Sequence, residues 1–133
     1  MRLYEYIAQR DGVQCTIVHS LDGYDEISLT SQFKVSSPEG ESIYTPEDIG
    51  FERCSQESLY GGDTVQEAAA IFDDVLSGNA TSAQRNCVIA NSAFAIHTLD
   101  PEVSLSDAVA EAEYSINSGS AMGAFRRFVE LNK

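Results

Sequence analysis

The spacing of apolar residues changes near residue 45, from strand-type patterns before it to helix-type patterns after it. Residues 13–19 predict a short strand, because they are rich in β-branched side chains and apolar enough for burial on both faces. The same signals predict further strands at 26–30, around 32–36 and around 41–44, with a hairpin turn at 36–40. A complete doubly wound sheet would alternate strands and helices, so this order predicts only part of an α/β fold.

Helix signals dominate the second half of the chain. Thr45 and Pro46 mark a short helix that Gly50 ends. Cap residues and stop signals predict four longer helices, over residues 63–77, from 81 to the Asp-Pro stop at 100–101, from 104 to before 119, and over 121–131.

The apolar positions of these helices predict which faces are buried. In the first long helix they are Val65, Ala69, Phe72 and Leu76, and in the last they are Met122, Phe125 and Val129. The second long helix is apolar nearly all round, which predicts a central position in the fold.

Residues 2–9 have helical spacing but no preceding cap, and Asp11 and Gly12 stop the pattern. This is typical of the last turns of a longer helix. The strand at 13–19 is of parallel type, yet no parallel partner is predicted for it. We therefore expect the sequence to begin partway through a larger α/β domain.

Composition excludes several classes of function. The chain has 133 residues, 43% of them hydrophobic, which fits one folded domain with a sizeable core. Its net charge is -13 and its basic residues are scattered, which argues against a nucleic-acid or anionic-membrane partner. A phosphorylated ligand would need a metal, or residues outside this chain, to neutralise its charge.

Cysteine usage and hydropathy predict a cytoplasmic protein. Cys15, Cys54 and Cys87 are far apart and odd in number, which favours reduced thiols over a disulfide framework. The first residues lack an apolar signal core, and no apolar run reaches the roughly 20 residues needed to span a bilayer.

Two adjacent carboxylates, Asp25 and Glu26, follow the first predicted strand on a glycine turn within residues 18–30, VHSLDGYDEISLT. Carboxylate oxygens at such a position suit Mg²⁺, which commonly bridges one or two protein carboxylates to substrate phosphates. Adjacent acids in a turn are also typical of a solvated loop. The residues alone leave both interpretations open.

Residues 18–30 resemble the "VHG-x-DGLDEISLT" signature of the anthranilate phosphoribosyltransferase family. Residues 44–50, YTPEDIG, are similar to that family's "TPEDFG", and residues 116–121, INSGSA, to its "SGKA". The Gly61-Gly62-Asp63 helix opening and residues 76–78, LSG, follow in the same order. The resemblance covers nearly the whole chain.

The resemblance implies a fold and an activity. The fold is α/β: part of a nucleoside phosphorylase/phosphoribosyltransferase catalytic domain, with a short mixed sheet and hairpin followed by a helical carboxy-terminal half. The activity is transfer of a phosphoribosyl group from phosphoribosyl pyrophosphate to the amino group of anthranilate, in tryptophan biosynthesis. The family binds Mg²⁺ through its Asp-Glu pair, which implies Asp25 and Glu26 as metal ligands here. The family is homodimeric through a helical domain absent from this sequence.

The departures from the family are also informative. Its "GTGGD" phosphate loop, its "KHGN" segment and its anthranilate-binding arginine region precede the part represented here. Residues 1–133 are thus expected to form a single region, the carboxy-terminal part of the catalytic domain, which is inactive alone. We expect it to self-associate through exposed apolar surface and exposed strand edges. The alternative is a non-catalytic interaction module that retains the fold. Pyrimidine nucleoside phosphorylases share the fold but fit residues 21–30 poorly.

The Gly61-Gly62 pair offers a second candidate site. Glycines before a helix can present backbone N–H groups to a phosphate. We favour the simpler interpretation that Asp63 starts the helix by complementing its dipole.

Overall fold

The computed structural model describes residues 2–133, which form a small sheet with five α-helices. The elements in chain order are α1 (Arg2–Asp11), β1 (Ile17–Ser20), β2 (Phe33–Ser37), β3 (Gly40–Tyr44), α2 (Val65–Ser77), α3 (Ser82–Leu99), α4 (Leu105–Asn117) and α5 (Ser120–Leu131), with 3₁₀ helices at Pro46–Ile49 and Gln56–Leu59. Among the described residues, no helix combines the length and apolar character needed to cross a membrane.

The sheet has the order β1-β2-β3, and both pairings among residues 2–133 are antiparallel. The predicted hairpin is confirmed, since β2 and β3 pair from Phe33 opposite Tyr44 to the turn at Ser37 and Gly40. The first strand is shorter than predicted, half-buried along most of its length, and antiparallel to β2. The strand predicted at 26–30 is wrong, because those residues lie in the connection between β1 and β2.

The predicted helix starts are confirmed in atomic detail. Thr64 and Glu67 form a capping box at the start of α2, and Thr81 and Gln84 form another at α3. The Ser104 side chain accepts from the N–H of Asp107 at α4. These caps satisfy N–H groups that have no partner within their helix, which is why the starts can be identified in the sequence.

The core forms where α3 packs against the sheet. Phe94 of α3 contacts Phe33 and Tyr44 edge-on, with ring centroids 5.8 and 5.7 Å apart. A second cluster joins α2, α3 and α4 through Val75, Ile89, Ala112 and Ile116. The central position predicted for α3 is thus confirmed, since it contributes to both clusters.

The buried faces predicted for α2 and α5 need correction. In α2, Val75 is buried, whereas Val65 is 81% and Phe72 46% exposed. In α5, Phe125 contacts Phe72 at 4.8 Å between ring centroids, but Val129 is exposed. The physical reason is that apolar residues at helical spacing are buried only where a neighbouring element covers them, and Phe72 lines an open groove beside α2.

Candidate metal-binding loop

Residues 21–32 connect β1 to β2 and carry Asp25 and Glu26, whose side chains are exposed. The base of this loop is closed by the N–H of Leu21, which donates to the carbonyl of Gln32 at 2.9 Å. The N–H of Ser20 donates to the carbonyl of Tyr24 at 3.0 Å and forms a tight turn. The two carboxylates therefore lie directly after a closed turn, as the sequence predicts.

A chain of hydroxyl groups braces the loop from inside. The buried hydroxyls of Ser20 and Ser28 lie 3.0 Å apart, and that of Ser28 lies 2.7 Å from the hydroxyl of Thr30. Thr30 in turn donates to the carboxylate of Asp22. Asp22 thus stabilises the turn, and this hydrogen bond links the two arms of the loop on either side of Asp25 and Glu26.

The second arm of the loop is held by neighbouring elements. The Asn91 side chain of α3 hydrogen-bonds both backbone groups of Ile27, and the Cys87 thiol donates to the Ile27 carbonyl at 2.9 Å. The N–H of Cys54 donates to the carbonyl of Leu29 at 3.0 Å. Ile27 and Leu29 are buried, so this arm is fixed by side chains and irregular backbone rather than by a strand.

Sequence analysis missed Asn91 as part of the site. The available signal was a single amide within the largely apolar residues 87–96 of α3, directly after Ile89 and Ala90. A polar side chain among buried residues needs a hydrogen-bond partner, and the partner here is the loop that carries the carboxylates.

The environment of the loop raises the pKa of the Cys87 thiol to about 11. Burial is the main cause, and the proximity of Cys54 and Glu26 adds to it. The thiol is therefore protonated at neutral pH and remains a hydrogen-bond donor to Ile27.

The donor set fits part of a magnesium site. Asp25 and Glu26 offer adjacent carboxylate oxygens, and neither enters an ion pair within residues 2–133. No group of three or more His, Cys, Asp or Glu side chains in that range is arranged to hold a metal. Because Mg²⁺ accepts one or two carboxylates and takes its other oxygens from water and phosphate, two carboxylates suffice as the protein's share.

The Gly61-Gly62 segment does not offer a comparable anion site. The N–H groups of Asp63 and Thr64 both donate to the Glu67 carboxylate, at 2.7 and 3.1 Å. Gly62 has a φ of +87°, and a Cβ atom there would lie 2.6 Å from that of Glu67. The glycine is thus explained by close packing at the helix start, and the helix donors are used internally.

Comparison with known proteins places this chain in a family. The sequence profile described as "Glycosyl transferase family, a/b domain" matches residues 3–122. An anthranilate phosphoribosyltransferase from Bacteroides fragilis is 51% identical over 132 residues, which are 99% of this chain and 40% of that protein. The chain therefore spans less than half the length of such relatives.

Solved structures share the fold. Anthranilate phosphoribosyltransferase from Thermus thermophilus superposes with a TM-score of 0.83 at 28% identity, over 92% of this chain and 36% of that one. The Saccharomyces cerevisiae enzyme, in complex with PRPP and Mg, gives a TM-score of 0.78 at 21% identity over 90% of this chain and 34% of that one. The α/β fold class and the resemblance predicted from the sequence are confirmed.

Proposed function

The chain belongs to the glycosyl transferase family, and we propose that it is the carboxy-terminal part of the catalytic domain of an anthranilate phosphoribosyltransferase. The whole protein would transfer the phosphoribosyl group of phosphoribosyl pyrophosphate to the amino group of anthranilate and release pyrophosphate. Residues 1–133 form a single region in this proposal. The helical domain and the phosphate-binding loop belong to the remainder of the protein. The 51% identity to an enzyme of this name carries the proposal.

Asp25 and Glu26 are the proposed magnesium ligands. Bound Mg²⁺ would neutralise the negative charge of the pyrophosphate leaving group. Without it, a chain of net charge -13 with two exposed carboxylates at the site would repel the substrate phosphates. Asp25 and Glu26 therefore make phosphate binding dependent on the metal, and the bracing of the loop presents them before substrate arrives.

The isolated chain is proposed to be inactive. The family's phosphate loop and anthranilate-binding region are not in this sequence, and the donor set above provides only the metal side of a site. An assay for phosphoribosyl anthranilate with the 133-residue chain, Mg²⁺ and both substrates should give no product above the buffer blank.

A chimera tests the activity of the whole protein. Residues 2–133 replace the matching segment of the Bacteroides fragilis enzyme, and the decrease in anthranilate fluorescence is followed with Mg²⁺ and phosphoribosyl pyrophosphate. We expect turnover, and we expect Glu26→Gln to reduce kcat/KM by at least about 100-fold, because it removes a negatively charged metal ligand. Glu111→Gln, on an exposed face of α4, is the matched control.

The chimera also separates the alternatives. A folded but inactive chimera, with a circular dichroism spectrum like that of the parent, would favour the non-catalytic interaction module. If the chimera is active and Glu26→Gln has the same kcat/KM as Glu111→Gln, the enzymatic function is supported but Glu26 is rejected as a metal ligand.

Self-association of the isolated chain is a further part of the proposal. An open, largely apolar groove runs beside Glu26, and its lining includes Tyr24, Phe72 and Val88, which are 36%, 46% and 39% exposed. Contact between two copies would bury such surface, while their net charge opposes association. Sedimentation should therefore show association that strengthens with salt, and a single monomeric species at all concentrations would contradict it.

The three free thiols support a cytoplasmic location.

A further inference from the structure

The backbone of Ile27 is paired with a side chain instead of a strand. Its N–H donates to Oδ1 of Asn91 at 3.0 Å, and its carbonyl accepts from Nδ2 of Asn91 at 2.8 Å. One carboxamide thus supplies both the acceptor and the donor that a neighbouring strand would have supplied. Ile27 is 0% exposed, so without Asn91 its N–H would have no water as a ready substitute, and its carbonyl would keep only the Cys87 thiol as a donor.

Asn91 is itself held in place. Its Nδ2 also donates to the carbonyl of Cys87, one helical turn earlier, at 2.8 Å. It lies on α3 between Ala90 and Ala93, which are both 0% exposed. α3 contributes to both core clusters, so its position is fixed by packing on several sides. Through its two hydrogen bonds, Asn91 holds the backbone of Ile27 at a fixed place relative to α3.

We propose that Asn91 is a positioning residue for Glu26 and Asp25, a role that rests on the metal function proposed above. Glu26 directly precedes Ile27, so the peptide group fixed by Asn91 sets the direction in which the Glu26 side chain leaves the loop. We call the pair of hydrogen bonds between Asn91 and the backbone of Ile27 the clamp. Loss of the clamp would let the exposed end of the loop adopt other conformations. Metal binding would then have to order the loop, at the expense of affinity.

The carboxamide is required by the geometry. An aspartate at position 91 would place a carboxylate oxygen against two carbonyl oxygens, those of Ile27 and Cys87, at hydrogen-bond distance. Asn91→Asp therefore keeps the size of the side chain and reverses one half of the clamp. Asn91→Ser is too short to span both groups and introduces no charge, so it serves as a second variant if the aspartate variant does not fold.

Amide exchange and metal titration of the ¹⁵N-labelled 133-residue chain test the proposal. In Asn91→Asp, repulsion between the carboxylate and the two carbonyl oxygens should make local opening more frequent, so the amide of Ile27 should exchange at least about 10-fold faster. Amides of Ala112 and Ile116 in the α4 core should keep their rates. Titration with Mg²⁺ and inorganic pyrophosphate, read from the shifts of the Asp25 and Glu26 amides, should show about 10- to 100-fold weaker metal affinity.

Ile116→Val is the matched control, since Ile116 is buried in the second core cluster away from the loop. It should lower Tm without changing exchange at Ile27 or the metal affinity. Unchanged Ile27 exchange in both position-91 variants would overturn the clamp. Metal affinity equal to that of Ile116→Val would overturn the positioning role.

The same experiment separates this inference from the function on which it rests. If the wild-type chain shows no Mg²⁺-dependent shifts at Asp25 and Glu26 with pyrophosphate present, the proposed metal site fails, and the positioning role fails with it. Faster Ile27 exchange in Asn91→Asp would then still establish the clamp as a structural contact.

Discussion

Helix α1 has regular secondary structure but no buried residue, whereas the loop at residues 21–32 has buried residues but no regular secondary structure. In α1 the backbone is regularly hydrogen-bonded, yet none of its residues is buried, and Leu3 and Tyr6 are each 69% exposed. In the loop no residue belongs to a helix or strand, yet Ile27 and Leu29 are 0% and 1% exposed. Position in this protein is therefore set by burial and side-chain hydrogen bonds more than by secondary structure.

The largest expected change in stability comes from a substitution in the core next to the loop. Phe33 follows the loop directly, is 0% exposed and contacts both Tyr44 and Phe94. Phe33→Ala should lower the free energy of unfolding by about 3–5 kcal/mol. Tyr4→Ala in α1 should change it by less than about 0.5 kcal/mol. Urea denaturation followed by circular dichroism measures both, and similar losses in the two variants would remove the contrast between the regions.

The next effect comes from the hydroxyl chain. Ser28→Ala deprives the buried Ser20 hydroxyl of a partner and removes the acceptor of the Thr30 N–H, so we expect a loss of about 1–3 kcal/mol. Ser106→Ala, at an exposed position of α4, is the control and should be nearly neutral. Equal midpoints for the two variants would mean that the hydroxyls do not brace the loop.

A pH series isolates the thiol that contacts the loop. The folded pKa of Cys87 is raised from 9.0 to about 11, so the unfolded chain releases this proton first as pH rises. Its contribution should be constant below pH 9 and disappear between pH 9 and about 11. Allowing for partial exposure, wild type should lose about 1 kcal/mol more than Cys87→Ala over that interval. Parallel urea midpoints of the two proteins across it would contradict this.

The smallest effect concerns α1. The Ser36 hydroxyl donates to the Glu5 carboxylate at 2.5 Å and ties this helix to the sheet. Glu5→Ala should ease local opening of α1 by about 1 kcal/mol, or about 5-fold in amide exchange, while global stability stays within about 0.5 kcal/mol. Glu5→Gln keeps an acceptor for the Ser36 hydroxyl, so its α1 amides should exchange at rates between those of wild type and Glu5→Ala. A decrease of about 1 kcal/mol in the free energy of global unfolding would contradict this, because it would show that α1 unfolds together with the core.

Sequence reasoning succeeded where structure is local. The Thr64 and Thr81 caps lie three residues from the partners that complete them, so their spacing specifies the helix starts. The strand predicted at 26–30 failed because the partners of that backbone are distant in sequence, with Asn91 separated from Ile27 by 64 residues. Leu29 has a φ of +61°, which is incompatible with a regular strand.

The sequence by itself determined where helices start, that α3 is central, and that Asp25 and Glu26 follow a glycine turn with metal-compatible chemistry. These properties depend on residues close in the chain. Only the tertiary structure decided that Asn91, Cys87 and Ser28 hold the loop, and that Phe72 is not enclosed while Ile27 is. The physical reason is that burial and hydrogen-bond satisfaction depend on which distant groups meet, and residue spacing along one segment does not contain that information.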